Sequence, residues 1–97
     1  MSRPDLLSED AILNHLALLP LWESDGKSLK RTCILHDFVS AIGFINSIAI
    51  HAEAMDHHPE LHLYGWNKVD VSISTHDKGG LTHLDMELAS KIDGITF

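Results

Sequence analysis

Between Asp37 and Met55 the chain keeps a 3.6-residue apolar period for almost five turns, and it is then cut off by Asp56, His57, His58 and Pro59. Phe38, Ala41, Ile42, Ile45, Ile48, Ala49, Ala52 and Met55 recur at helical spacing, and Asp37 supplies a side-chain oxygen for the free amides of the first turn. Proline disfavours helical backbone in the residue before it, so the helix ends ahead of Pro59. One long apolar helix must be the main core element, and the His57–His58 pair must stand at its exit.

The segments on either side read as strands. Upstream, Leu21 and Trp22 lead through Glu23 and Ser24 to Asp25–Gly26, a dipeptide suited to the positive φ of a hairpin turn. Lys27 to Leu35 returns as a second strand, with Leu29, Cys33 and Leu35 on one face. Downstream, Leu61 and Leu63 alternate with His62 and Tyr64 ahead of a turn at Gly65. Val69, Val71, Ile73 and Thr75 alternate with Asp70, Ser72, Ser74 and His76, the period of a half-buried strand. That parity puts His76 on the polar side. A first helix is expected from about Ser8 to Leu18, and a last one from Thr82, after the break at Gly79–Gly80. The order helix-strand-strand-helix-strand-strand-helix predicts an α+β fold of two layers, an antiparallel sheet with helices packed on one face. The order of the hairpins across the sheet is not readable.

At 97 residues the chain is expected to be a single domain spanning residues 1–97. Seven basic residues against fourteen acidic ones, a formal net charge of -7, argue against a nucleic-acid-binding surface. No uninterrupted apolar run has the ~18 residues of a membrane helix, and the first residues lack a secretory pattern. A soluble, cytoplasmic protein is the expectation. The single cysteine, Cys33, excludes an intramolecular disulfide and is expected to be buried.

Eight histidines are a high proportion. Imidazole is the side chain whose unperturbed pKa lies nearest neutrality, so His57, His58 and His76 form a kit for moving protons. Each also reads as an ordinary turn or strand-end residue. Zinc binding lacks its ligand spacing here, and no serine or cysteine sits in a nucleophile elbow, so neither metal nor covalent chemistry is expected. Glu53 stands four residues before His57, at the spacing of a helical side-chain pair that would orient the ring. Thr82 and Asp85 have the spacing of a capping box.

Taken together, Glu53, His57, His58, Pro59, Trp66, Ser74, Thr75, His76 and Asp85 resemble the signature of the pterin-4a-carbinolamine dehydratase family. The resemblance extends to Trp22, Asp37–Phe38, Gly43–Phe44 and Leu88 to Ser90, so it covers about residues 20 to 92. It implies a four-stranded antiparallel sheet with three helices on one side, assembled as a homodimer or homotetramer. It also implies elimination of water from a 4a-hydroxytetrahydropterin to give a quinonoid dihydropterin, in tetrahydrobiopterin recycling, with no metal or organic cofactor. By carry-over, His57 and His76 are acid/base candidates and His58 is expected to hold the pterin. Asp56, Pro59, Ser74, Thr75 and Asp77 are expected to shape the binding pocket. Glu53 and Asp85 would orient the histidines from behind. Trp22 reads either as a cover for one pterin face or as a core residue. Leu61, where some members carry an aromatic, and Asp77–Lys78 depart from the pattern. Animal members also bind a homeodomain transcription factor, and relatives without the histidines act as assembly factors. A protein-binding module is therefore the alternative function.

Overall fold

The computed structural model describes residues 3–96. Its elements are α1 (Glu9–Leu16), β1 (Glu23–Ser24), β2 (Leu29–Ile34), α2 (Phe38–Met55), β3 (Glu60–Tyr64), β4 (Lys68–Ile73) and α3 (His83–Asp93). This is the expected α+β fold in the expected order. Both hairpins form: β1 pairs β2 and β3 pairs β4, each antiparallel. The hairpins join through β2 and β4, giving the sheet order β1-β2-β4-β3. Since β2 and β3 both run antiparallel to β4, they are parallel to each other, and α2 is the crossover between them.

Local chemistry accounts for the boundaries. Ser8 and Asp37 cap α1 and α2 by accepting from the amides of Ala11 and Ser40. The Ser40 amide, with the Ser40 hydroxyl beside it, holds the Asp37 carboxyl below its usual range. In the first hairpin the Asp25 carboxylate accepts from the amides of Lys27 and Ser28 and from the Ser28 hydroxyl, which depresses its pKa likewise. Gly26, at φ 89°, takes a backbone conformation that costs other residues a steric clash.

The core lies between the sheet and the helices. Leu29 and Cys33 of β2 and Val69, Val71 and Ile73 of β4 point inward and are buried, with Leu29 set directly opposite Ile73. They meet Ala41, Phe44 and Ile48 of α2 and Met86, Leu88, Ala89 and Ile92 of α3. At roughly 1.5–3 kcal/mol for each large apolar side chain buried, this layer dominates the folding free energy. Burial also raises the Cys33 thiol pKa, which makes it a poor nucleophile at neutral pH.

The helical period over-assigned α2. Phe38, Ile42 and Ala49 belong to the expected stripe, yet they are exposed, while Phe44, outside it, is buried. A helix apolar on nearly every side does not reveal by period which face meets the sheet. By length and mean hydropathy alone, 1.4 over 18 residues, α2 would even qualify to cross a membrane.

Candidate active site

The C-terminus of α2 places the histidine pair. Asp56 takes the left-handed conformation, φ 50° and ψ 45°, and the amides of Asp56 and His57 donate back to the carbonyls of Glu53 and Ala52. These two bonds are those of a Schellman motif, in which the left-handed residue is usually glycine. Aspartate tolerates that conformation better than most other residues. The reversal breaks the helical register, so His57 and His58 diverge. His57 turns into the protein and is 4% exposed, whereas His58 stays in solvent.

This reversal changes the carboxylate partners. Glu53, expected to pair with His57 at helical spacing, instead lies 2.5 Å from His58 Nε2. The partner of His57 is Asp85, whose Oδ1 lies 2.6 Å from Nε2. Asp85 is fully buried, and its Oδ2 accepts from the Thr75 hydroxyl and the Thr82 amide, each at 2.8 Å. Thr75 has a single hydroxyl proton, which goes to Asp85, so at the 2.9 Å contact between Thr75 and Thr82 the Thr82 hydroxyl is the donor. When Asp85 is ionised it only accepts, and His57 Nε2 is then the donor between them. Nδ1 of His57 has no partner among the described residues and is the ring atom left for a ligand. The capping box of Thr82 and Asp85 forms as expected, and the same carboxylate serves both the cap and the histidine.

Asp85 therefore ties three elements together. It reaches His57 after α2, and through Thr75 it fixes the residue before His76 after β4. His76 opens a 3-10 turn, His76–Lys78, rather than ending the strand, because β4 stops at Ile73 and Thr75 bridges to Gly80. Gly79, at φ 70°, receives the left-handed end of that turn. The His76 ring is exposed and has no hydrogen-bond partner among the described residues.

The remaining candidates divide by burial. The Thr75 hydroxyl is used internally, and Ser74 Oγ donates to the Lys27 carbonyl at 2.9 Å. Pro59 is half-buried, and Asp56 and Asp77 are exposed. Trp22 is 5% exposed and its indole N–H donates to Asp93 at 2.8 Å, so it packs in the core. Arg3 carried no signal in spacing or motif, yet it reaches both Asp56 and Asp77. A concavity of about 580 Å³ lies elsewhere, on the open face of the sheet among Lys30, Thr32, Glu60 and Asp70, and touches none of the three histidines. The buried hydrogen-bond network of His57, Thr75, Thr82 and Asp85, not hollow volume, marks the histidine end as the candidate site. Among the described residues no group of three or more His, Cys, Asp or Glu could hold a metal ion.

A family profile described as pterin 4 alpha carbinolamine dehydratase matches residues 5–95. The chain belongs to this family. Among its relatives, a protein of Sulfurisphaera tokodaii is 42% identical over 87 residues, covering 90% of this chain and 92% of its own. One from Mesorhizobium japonicum is 44% identical over 89 residues, covering 90% of each. Both bear the name "Putative pterin-4-alpha-carbinolamine dehydratase". The crystal structure of a transcriptional coactivator/pterin dehydratase from Brucella melitensis superposes with a TM-score of 0.86 at 36% identity, covering 93% of this chain and 97% of that one. A pterin dehydratase-like protein described as a RuBisCO assembly factor of the alpha-carboxysome shares the fold, with a TM-score of 0.61 at 15% identity over 75% of this chain and 83% of that one. Relatives thus carry names that include dehydratase and coactivator, and a protein that shares only the fold is named an assembly factor.

Proposed function

We propose that this protein dehydrates a 4a-hydroxytetrahydropterin to a quinonoid dihydropterin and water. The observation that carries the reading is the Asp85 junction, which orders His57 and the backbone beside His76 with one buried carboxylate. The reaction needs a proton delivered to the leaving C4a hydroxyl and a proton removed from N5, so that the C4a–O bond breaks as the C4a=N5 bond forms. Two histidines divide these tasks, each contributing typically 10²–10⁴-fold. With Nε2 held by Asp85, His57 works through Nδ1. His76 is open to solvent and can exchange its proton with water between turnovers. His58, steadied by Glu53, holds the pterin, and Asp56, Pro59, Ser74 and Asp77 form the rim around it.

The test is the decay of enzymatically generated 4a-hydroxytetrahydropterin, followed by absorbance. The purified protein is expected to accelerate decay well above the buffer rate. Decay at the buffer rate would remove the dehydratase reading and leave the protein-binding module.

The outer face of α2 favours self-association. Phe38, Val39, Ile42 and Ile50 are large, apolar and exposed on one helix, and contiguous apolar patches on soluble proteins mark interaction sites. A second copy of the chain is the proposed cover. Sedimentation should give a dimer or tetramer, and Val39→Asp should shift it to smaller species without unfolding it. A wild-type protein that sediments as a monomer would make another protein the candidate partner, and binding that survives loss of all three histidines would identify a separate binding function.

A further inference from the structure

Ahead of α1 the chain runs along the same end of the molecule as the histidines. The Leu7 amide donates to the Leu81 carbonyl at 2.9 Å, and the Asp5 carboxylate lies 3.9 Å from Lys78 Nζ. Leu6 approaches Gly80 so closely that a Cβ there would come within 3.0 Å of its Cδ2. These contacts anchor the arm that carries Arg3.

Arg3 spans the two histidine segments. Its Nη2 donates to the Asp56 carbonyl at 2.7 Å and lies 3.6 Å from the Asp56 carboxylate, while Nε lies 3.7 Å from the Asp77 carboxylate. Asp56 immediately precedes His57, and Asp77 immediately follows His76. The Arg3 side chain is 27% exposed, against 85% and 75% for the two carboxylates, so the cation is the more enclosed member. The Asp56 carbonyl lies in the left-handed residue that ends α2, beyond the helical hydrogen-bond ladder, and Arg3 supplies its donor.

We propose that Arg3 is a positioning residue that sets the spacing between the His57–His58 and His76 segments. Asp85 links these segments from inside, through His57 and Thr75, and Arg3 links them from the solvent side. Ion pairs to exposed carboxylates add little to stability on their own. A planar guanidinium, however, directs separate N–H donors at separate segments, which a lysine ammonium on a flexible stem does not reproduce. Reaction between two fixed proton carriers is sensitive to this spacing, since a displacement of about 1 Å can cost 10²-fold in rate. The kinetic part of the inference rests on the dehydratase reading; the structural part does not.

The full chain is compared with Arg3→Ala, Arg3→Lys, Asp77→Asn and the Arg3→Ala/Asp77→Asn double variant. For Arg3→Ala, kcat should fall about tenfold with KM changed less than about threefold. Its Tm should drop by no more than about 4 °C. Arg3→Lys should recover little of the rate, and the double variant should loosen the same segments as Arg3→Ala and no others. Independently of activity, backbone ¹⁵N heteronuclear NOEs should fall at both 56–58 and 75–79 in Arg3→Ala, but only at 75–79 in Asp77→Asn. Unchanged NOEs in both segments of Arg3→Ala, or full recovery of the rate by lysine, would overturn the proposal. If wild-type protein proves inactive while Arg3→Ala still loosens both segments, the positioning role stands and the dehydratase reading alone fails.

Discussion

Asp85→Ala is expected to be the most destabilising single substitution at the candidate site, costing about 3–5 kcal/mol in urea unfolding, since each buried donor left without its acceptor costs roughly 1–3 kcal/mol. The carboxylate is fully buried and takes three contacts: His57 Nε2, the Thr75 hydroxyl and the Thr82 amide. Alanine leaves all three buried donors without their acceptor and also removes half of the capping box of α3. Domains of this size are stable by only about 5–15 kcal/mol, so the loss is a large share of the total. Asp85→Asn separates packing from charge. Its amide oxygen still accepts, but its NH₂ faces donors that Oδ1 or Oδ2 used to serve, so the stability loss should be smaller. Its kcat/KM should still fall about 10–100-fold, as for other groups that orient a catalytic histidine. An Asp85→Ala protein with a wild-type unfolding midpoint would mean that the network contributes no stability.

His76→Ala should give the largest loss of activity without a loss of stability. Its ring is exposed and has no hydrogen-bond partner among the described residues. Such surface substitutions usually change stability by less than about 0.5 kcal/mol. The kcat/KM for 4a-hydroxytetrahydropterin should nevertheless fall about 10²–10⁴-fold, the range for removing a general acid or base. His57→Ala provides the contrast. It should lower activity comparably but also destabilise the fold, because the buried Asp85 loses a partner. A His76→Ala enzyme within about twofold of wild type, where a general acid or base should matter far more, would take His76 out of the proton-transfer chemistry and leave His57 and His58 to account for it.

Elements defined by near neighbours along the chain are legible in the sequence itself. The caps at Ser8, Asp37 and Thr82, the Asp25–Gly26 turn, both hairpins and the stop before Pro59 depend on interactions a few residues apart, and spacing records them. The resemblance in turn named the three histidines and Asp85. Long-range geometry decided the rest. Glu53 stands at the right helical distance from His57, but one left-handed residue at Asp56 sends His57 inward to Asp85 and leaves Glu53 to His58. Trp22 is open between two roles in the sequence, and in the fold its indole is buried and donates to Asp93.

Periodicity and capping are properties of short stretches of chain, and they were enough for the α+β order of elements, the long helix and its exit at His57 and His58. The sheet order β1-β2-β4-β3 and the covered face of α2 come from packing of the whole chain. The folded structure alone showed Asp85 and Arg3 holding the His57 and His76 segments from opposite sides. Those contacts join residues 28 and 53 positions apart in the chain, as His57 to Asp85 and Arg3 to Asp56 show. No local pattern encodes such pairs, because packing of the whole chain brings them together.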